Sequence, residues 1–157
     1  MTAMPSSEVV ALYRTAVAAG VRVWIDGGWC VDALVGEQTR EHDDLDVAVD
    51  REDVDALVAV LTAAGYQRIR TAASSDWNFV MVDSVGHQVD IHVFGFDGDA
   101  RHVYGIAYSS EALHGSGFID GVPVECITAS SMYAFKSAYR PAAKDRSDLR
   151  ELEKLLF

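Results

Sequence analysis

The chain has 157 residues, half of them hydrophobic, which suits one compact core and excludes a disordered chain. Its formal net charge of −11 opposes non-specific binding to nucleic acid, which needs Lys and Arg on phosphates, and suits a cationic small molecule. Two cysteines, Cys30 and Cys126, read as free thiols of a reducing cytoplasm, and no stretch reads as a signal peptide or a membrane span.

Ser6 or Ser7 can cap a first helix with Glu8 in its first turn, and Gly20 stops it. Val9, Val10, Leu12, Tyr13 and Val17 supply its apolar face. Residues 21–25 (VRVWI) read as a strand that Asp26, Gly27 and Gly28 break, and a short helix then runs to Val35. A strand, a glycine turn and a helix N-terminus can form an anion site. Backbone N–H groups approach a phosphate where no Cβ intrudes, and the helix dipole favours negative charge. The plainer alternative is an ordinary turn.

Residues 36–43 form a polar loop carrying Arg40 and His42. Arg40 can face a triphosphate or make a surface salt bridge. His42 can lie near a nucleotide, though a hydrogen bond orienting a loop carbonyl or an aspartate is the preferred reading. Leu45, Val47 and Val49 then alternate with Asp44, Asp46, Ala48 and Asp50, the period of a strand. Residues i and i+2 share a face, so Asp44 and Asp46 project side by side. Two adjacent carboxylates repel, and a hard cation such as Mg²⁺ relieves them. A solvated acidic strand end is the alternative.

An amphipathic helix over 51–64 follows, with a stripe of Val54, Leu57, Val58 and Leu61, and then a strand over 66–71. Residues 78–82 and 87–94 read as a hairpin across the turn 83–86. Val89, Ile91 and Val93 line one face of its second strand, and Gln88, Asp90 and His92 the other. Asp90 is costly in an apolar strand unless it meets a cation or a proton donor. His92 shares its face and can sit near the site, though a surface or core-edge position is the preferred reading. A strand near 103–107, an undetermined segment over 108–117, and a hairpin over 118–127 turning at Asp120 and Gly121 come next. Tyr104, Tyr108, Glu111 and Glu125 are candidate acceptor contacts. Thr128 or Ser130 caps a helix that contains Lys136 and ends before Pro141. Asp145 or Ser147 starts a last helix with Leu149, Leu152, Leu155 and Leu156 apolar.

The string GGWCVDALVGEQTREHDDLDV resembles the signature of antibiotic nucleotidyltransferases of the polymerase-β-like superfamily, the lincosamide and 2''-aminoglycoside enzymes in particular. The matching features are Ile25, Gly27 and Gly28, with Asp26 inserted before the glycines, then Asp44-x-Asp46 and Asp90 as the third carboxylate. The string KSAYRPAAKDRSDLRELEKLL is similar to the family's end. The resemblance covers about residues 22–94 and 122–156.

It implies an α+β fold: a small mixed β-sheet with flanking helices and a short C-terminal helical pair. One nucleotidyltransferase domain would span 1–157, with a sheet-containing core over 1–127 and helices over 128–157. The implied reaction is Mg²⁺-dependent transfer of AMP from ATP to a hydroxyl of a small antibiotic. Asp44 and Asp46 would hold one or two Mg²⁺. Asp90 would bind metal and act as general base. Gly27 and Gly28 would meet the β- and γ-phosphates, with Arg40, His42 and Lys136 near the nucleotide. Lys144 and Asp145 would fix the helix pair. A cytoplasmic homodimer is the expected setting. A protein or RNA acceptor, and a non-catalytic nucleotide- or drug-binding module, are the competing readings. Lincosamide and aminoglycoside acceptors are not separated by these residues.

Overall fold

The computed structural model describes residues 2–157. Helix α1 (Ser6–Ala18) begins after Pro5, with no side-chain cap. Ser6 therefore lies inside the first turn instead of capping it, and the extended Pro5 backbone makes the entry. Strand β1 is confined to Trp24–Asp26 and leads directly into α2 (Gly27–Val35). Strand β2 is Leu45–Asp50. A 3-10 turn at Arg51–Asp53 precedes α3 (Val54–Ala63), so the helix expected from residue 51 opens one tight turn later.

Strands β3 (Gln67–Ile69), β4 (Asn78–Val82), β5 (Gln88–Phe96) and β6 (His102–Gly105) follow. The segment left open by the sequence holds a 3-10 turn at Ser110–His114 and strand β7 (Gly115–Ile119), which pairs with β8 (Val122–Cys126). Asp120 and Gly121 both take left-handed backbone angles, φ 51° and 75°, as a two-residue hairpin turn needs. The chain closes with α4 (Ala129–Ser137), capped by Thr128, and α5 (Ala143–Leu156).

The strand order is β3-β4-β5-β2-β1-β8-β7, with β6 pairing the far half of β5. The sheet is mixed: β2–β5 and β1–β8 are parallel, the other pairs antiparallel. This is the α+β arrangement expected from the sequence. Leu45, Val47 and Val89 join Ile25 on one face, packed against Leu12 of α1 and Leu57 and Leu61 of α3. The alternation of β2 and β5 then turns Asp46, Asp90 and His92 to the opposite face.

The last helix departs from its expected face. Its buried residues are Asp145, Asp148 and Leu152, while Leu155 is exposed. Asp145 accepts the Ala142 N–H at 3.1 Å, so it ties down the helix start from inside the first turn. Among the described residues no helix is long and apolar enough to cross a membrane.

Candidate active site

A cavity of about 460 Å³ opens on the acidic face of the sheet. Gly27, Gly28, Arg40, His42, Asp44, Asp46, Asp90 and Lys136 all line it, so the structure brings every site residue expected from the sequence to one place.

The carboxylates converge through strand register. Asp46 pairs with Asp90 across the parallel β2–β5 ladder, and Asp26 pairs with Asp46 across β1–β2. Asp44 sits just before β2, half-buried. Burial, then the neighbouring Asp46 and Asp90 charges, push its carboxyl up to about 7. Burial also raises Asp90, against the opposing pull of His92 and the Asn78 hydrogen bond. Asn78 Nδ2 donates to Asp90 Oδ1 at 2.7 Å.

His92 is half-buried and lines the cavity. Its Nε2 lies 3.1 Å from Asp46 Oδ1 and 3.9 Å from Asp90 Oδ2. Burial opposes its protonation, but Asp46, Asp26 and Asp90 outweigh that and raise it to about 9. Asp46, Asp90 and His92 each offer an atom within 4.8 Å of the others, which could hold a cation. Glu8, Asp83 and His87 form a second such group. There Asp83 Oδ1 caps three backbone N–H groups of its own turn, its other oxygen meets His87, and Tyr66 donates to Glu8. Those bonds give each of the three a structural partner: Asp83 and His87 within the hairpin turn, and Glu8 of α1 with Tyr66.

The glycines are required by side chains of the protein itself. Gly27 has φ 61°, and a Cβ there would overlap Asp46 Oδ2. A Cβ on Gly28 would overlap the Arg40 guanidinium and crowd His42 Nδ1, 2.6 Å away. Asp26 caps the turn by accepting the Gly27 N–H at 2.8 Å, and its other oxygen accepts from Tyr108 Oη. Burial raises the Asp26 carboxyl, opposed by His92 and Tyr108.

Two of the cationic residues, Arg40 and Lys136, are already engaged. Arg40 donates two bonds to Asp148, at 2.8 and 2.9 Å, so its partner is a buried carboxylate and not a surface one. Lys136 is buried and lies 3.2 Å from Asp145 and 3.0 Å from Asp148. Burial pushes the Asp148 carboxyl up, but the Arg40 and Lys136 bonds outweigh it and hold it below the ordinary value. His42 Nε2 contacts Asp32 at 2.6 Å and its ring lies 4.5 Å from Trp29, an orienting role. Lys144 lines the cavity and makes no ion pair among the described residues, so it does not fix the helix pair. Asp145 does, through Lys136.

Of the candidate acceptor contacts, only Tyr108 reaches the cavity, beside Ile106, Met132 and Phe135. Tyr104 packs against Trp77 and Arg51, Glu125 pairs with Arg22 at 2.6 Å, and Glu111 is exposed in the 3-10 turn. Asp26 and Asn78 are the site residues that sequence reasoning passed over, and His92 was weighed as a neighbour of the site but set aside. The i+2 spacing from Asp90 carried a signal for His92, and counting back from the hairpin turn places Asn78 opposite it.

A mixed sheet with paired carboxylates on adjacent parallel strands, next to a strand–glycine–helix turn, defines a nucleotidyltransferase. Two solved structures share the fold. One is the lincomycin-bound lincosamide antibiotic adenylyltransferase LnuA, with TM-score 0.82 and 22% identity, covering 97% of this chain and 98% of that one. The other is ANT(2'')-Ia in complex with adenylyl-2''-tobramycin, with TM-score 0.78 and 20% identity, covering 97% and 89%. A lincosamide resistance protein of Staphylococcus haemolyticus is 25% identical over 141 residues, 86% of each chain. A 2''-aminoglycoside nucleotidyltransferase of Escherichia coli is 28% identical over 127 residues, 78% of this chain and 69% of its own. The chain belongs to the aminoglycoside-2''-adenylyltransferase family, whose model matches residues 8–152. The family resemblance read from the glycine and aspartate motifs is thereby borne out, and the protein is an enzyme of the nucleotidyltransferase class.

Proposed function

We propose that this protein transfers the adenylyl group of ATP to a hydroxyl of a small cationic antibiotic, of the lincosamide or aminoglycoside kind, with Mg²⁺. Family membership and the antibiotics named for its relatives support the reading. The observation that carries it is the Asp46–Asp90 pair on parallel strands, with Asp44 beside it in an open cavity. The donor set fits a hard cation. It offers carboxylate oxygens from three aspartates lining one cavity, and burial together with the Asp46 and Asp90 charges raises Asp44 to about 7.

Asp44, Asp46 and Asp90 would hold the metal. When bound, it supplies positive charge against the triphosphate and the leaving pyrophosphate. Asn78 occupies Asp90 Oδ1, which leaves Oδ2 to accept the proton of the attacking hydroxyl. The acceptor oxygen bonds to the α-phosphorus as the bond from that phosphorus to the oxygen bridging the β-phosphate breaks, and pyrophosphate leaves. Lys144 has its ammonium free for the triphosphate, whereas Lys136 and Arg40 share theirs with Asp145 and Asp148. Those two act first by fixing the cavity wall. Asp26, Asp43 and the metal-site carboxylates make the cavity attractive to a cationic acceptor.

The test is pyrophosphate release with Mg²⁺-ATP across a panel of lincosamides and aminoglycosides, followed by mass spectrometry. An acceptor gaining the mass of AMP is the expected result. No release with any antibiotic, despite Mg²⁺-ATP binding, would reject the acceptor class.

A further inference from the structure

We propose that His92 and Asn78 are positioning residues that aim the Asp46 and Asp90 carboxylates at one shared point. The inference rests on the metal reading of those carboxylates and not on which acceptor is used.

Asn78 and His92 are cross-strand partners in the β4–β5 hairpin, and His92 lies one step beyond Asp90 on the same face of β5. The Asn78 amide nitrogen donates to Asp90 Oδ1 at 2.7 Å and to the Ile91 carbonyl at 3.2 Å. Those two acceptors determine which end of the amide is nitrogen. The same nitrogen lies 3.4 Å from His92 Nδ1, a contact without a hydrogen of its own because both amide hydrogens go to Asp90 and Ile91. The carboxylate oxygen that meets the ring, Asp46 Oδ1, is an acceptor, so the His92 nitrogen beside it, Nε2, carries the proton of a neutral ring. A protonated ring carries one there as well. In either state Nε2–H donates to Asp46 Oδ1, at 3.1 Å, and Nε2 has no lone pair to offer a metal.

The consequence is a division of oxygens. Asp46 Oδ1 is held by His92, and Oδ2 lies over Gly27, where a Cβ would strike it. Asp90 Oδ1 is held by Asn78, and Oδ2 remains for cation or proton. Asn78 thus orients one carboxylate and His92 the other. Hydrogen-bonding partners of ligating carboxylates change metal affinity by about 10–100-fold when removed.

The experiment measures binding of Mn²⁺ alone by electron paramagnetic resonance, in protein free of nucleotide and acceptor, and then the kinetics of transfer. His92→Ala and Asn78→Ala are each expected to weaken Mn²⁺ binding about tenfold or more and to lower kcat with little change in the KM of the acceptor. His92→Gln retains an N–H donor near the Nε2 position and is expected to recover most of the loss. Mn²⁺ binding unchanged in His92→Ala and Asn78→Ala would overturn the proposal. So would a His92→Gln protein as impaired as His92→Ala, and so would wild-type protein that binds no Mn²⁺. Wild-type protein that binds Mn²⁺ as expected but adenylylates no antibiotic would reject the acceptor reading and leave this one standing.

Discussion

Replacing Asp148 with Ala removes a fully buried carboxylate that accepts two bonds from Arg40 and one from Lys136. Breaking a buried ion pair from one side costs about 3–5 kcal/mol, because the charge left behind is uncompensated. Two features move Asp148→Ala to the lower end. Lys136 keeps Asp145 at 3.2 Å, and the Arg40 side chain is 20% exposed and can recover water. A loss of about 3 kcal/mol follows, or about 6–12 °C in Tm for a chain of this length. Urea titration followed by circular dichroism measures the first quantity and calorimetry the second. Arg40 also packs over Gly28, so the loop before Asp44 loses its anchor to α5, and transfer activity should fall at temperatures where the variant is still folded. A loss below about 1 kcal/mol would refute the reasoning, because it would give this network the weight of an exposed surface pair.

Asp90→Asn should lower kcat at least about a hundredfold in the pyrophosphate-release assay while leaving the melting curve near that of wild type; an active Asp90→Asn protein would refute the base assignment. Gly27→Ala places a Cβ against Asp46 Oδ2 on a left-handed backbone, so it should weaken Mn²⁺ binding and lower Tm, whereas Gly36→Ala, with open space around the Cβ, should affect only Tm. Asp145 and Asp148 are both held below the ordinary carboxylate value in the fold. Their stabilisation is complete above the unfolded-state value of about 4 and is lost as pH falls through the lower folded values. Stability measured by urea titration should therefore drop as pH falls below about 4, with a shallower slope in Asp148→Asn. An equal slope in both proteins would argue against this source of acid sensitivity.

Most of the site was legible because its signals are local. The period-2 alternation from Leu45 to Asp50 orients Asp46 whatever the rest of the chain does, and Asp44 sits just before that strand. The turn at 83–86 sets the hairpin that carries Asp90, and the break at Asp26, Gly27 and Gly28 marks where β1 becomes α2. Helix starts were less legible. Pro5 displaced the serine cap, and Asp145 entered the first turn of α5 instead of preceding it, because a cap depends on the backbone angle at one residue.

What the sequence determined by itself was the family, the mixed-sheet class and the three candidate carboxylates, since motif, period and turn chemistry are properties of neighbouring residues. What only the tertiary structure decided was who faces whom. The parallel register of β2 and β5 brings Asp46 to Asp90, with Ala48 beside His92, and no local pattern encodes a pairing across more than forty residues. The same holds for the buried face of α5. On helical spacing alone Leu149 and Leu155 are as apolar as Leu152, yet the helix turns Asp145 and Asp148 inward because Arg40 and Lys136 wait there to neutralise them. A carboxylate can replace a leucine in the interior only when a distant cation meets it, and that meeting exists only in the folded chain.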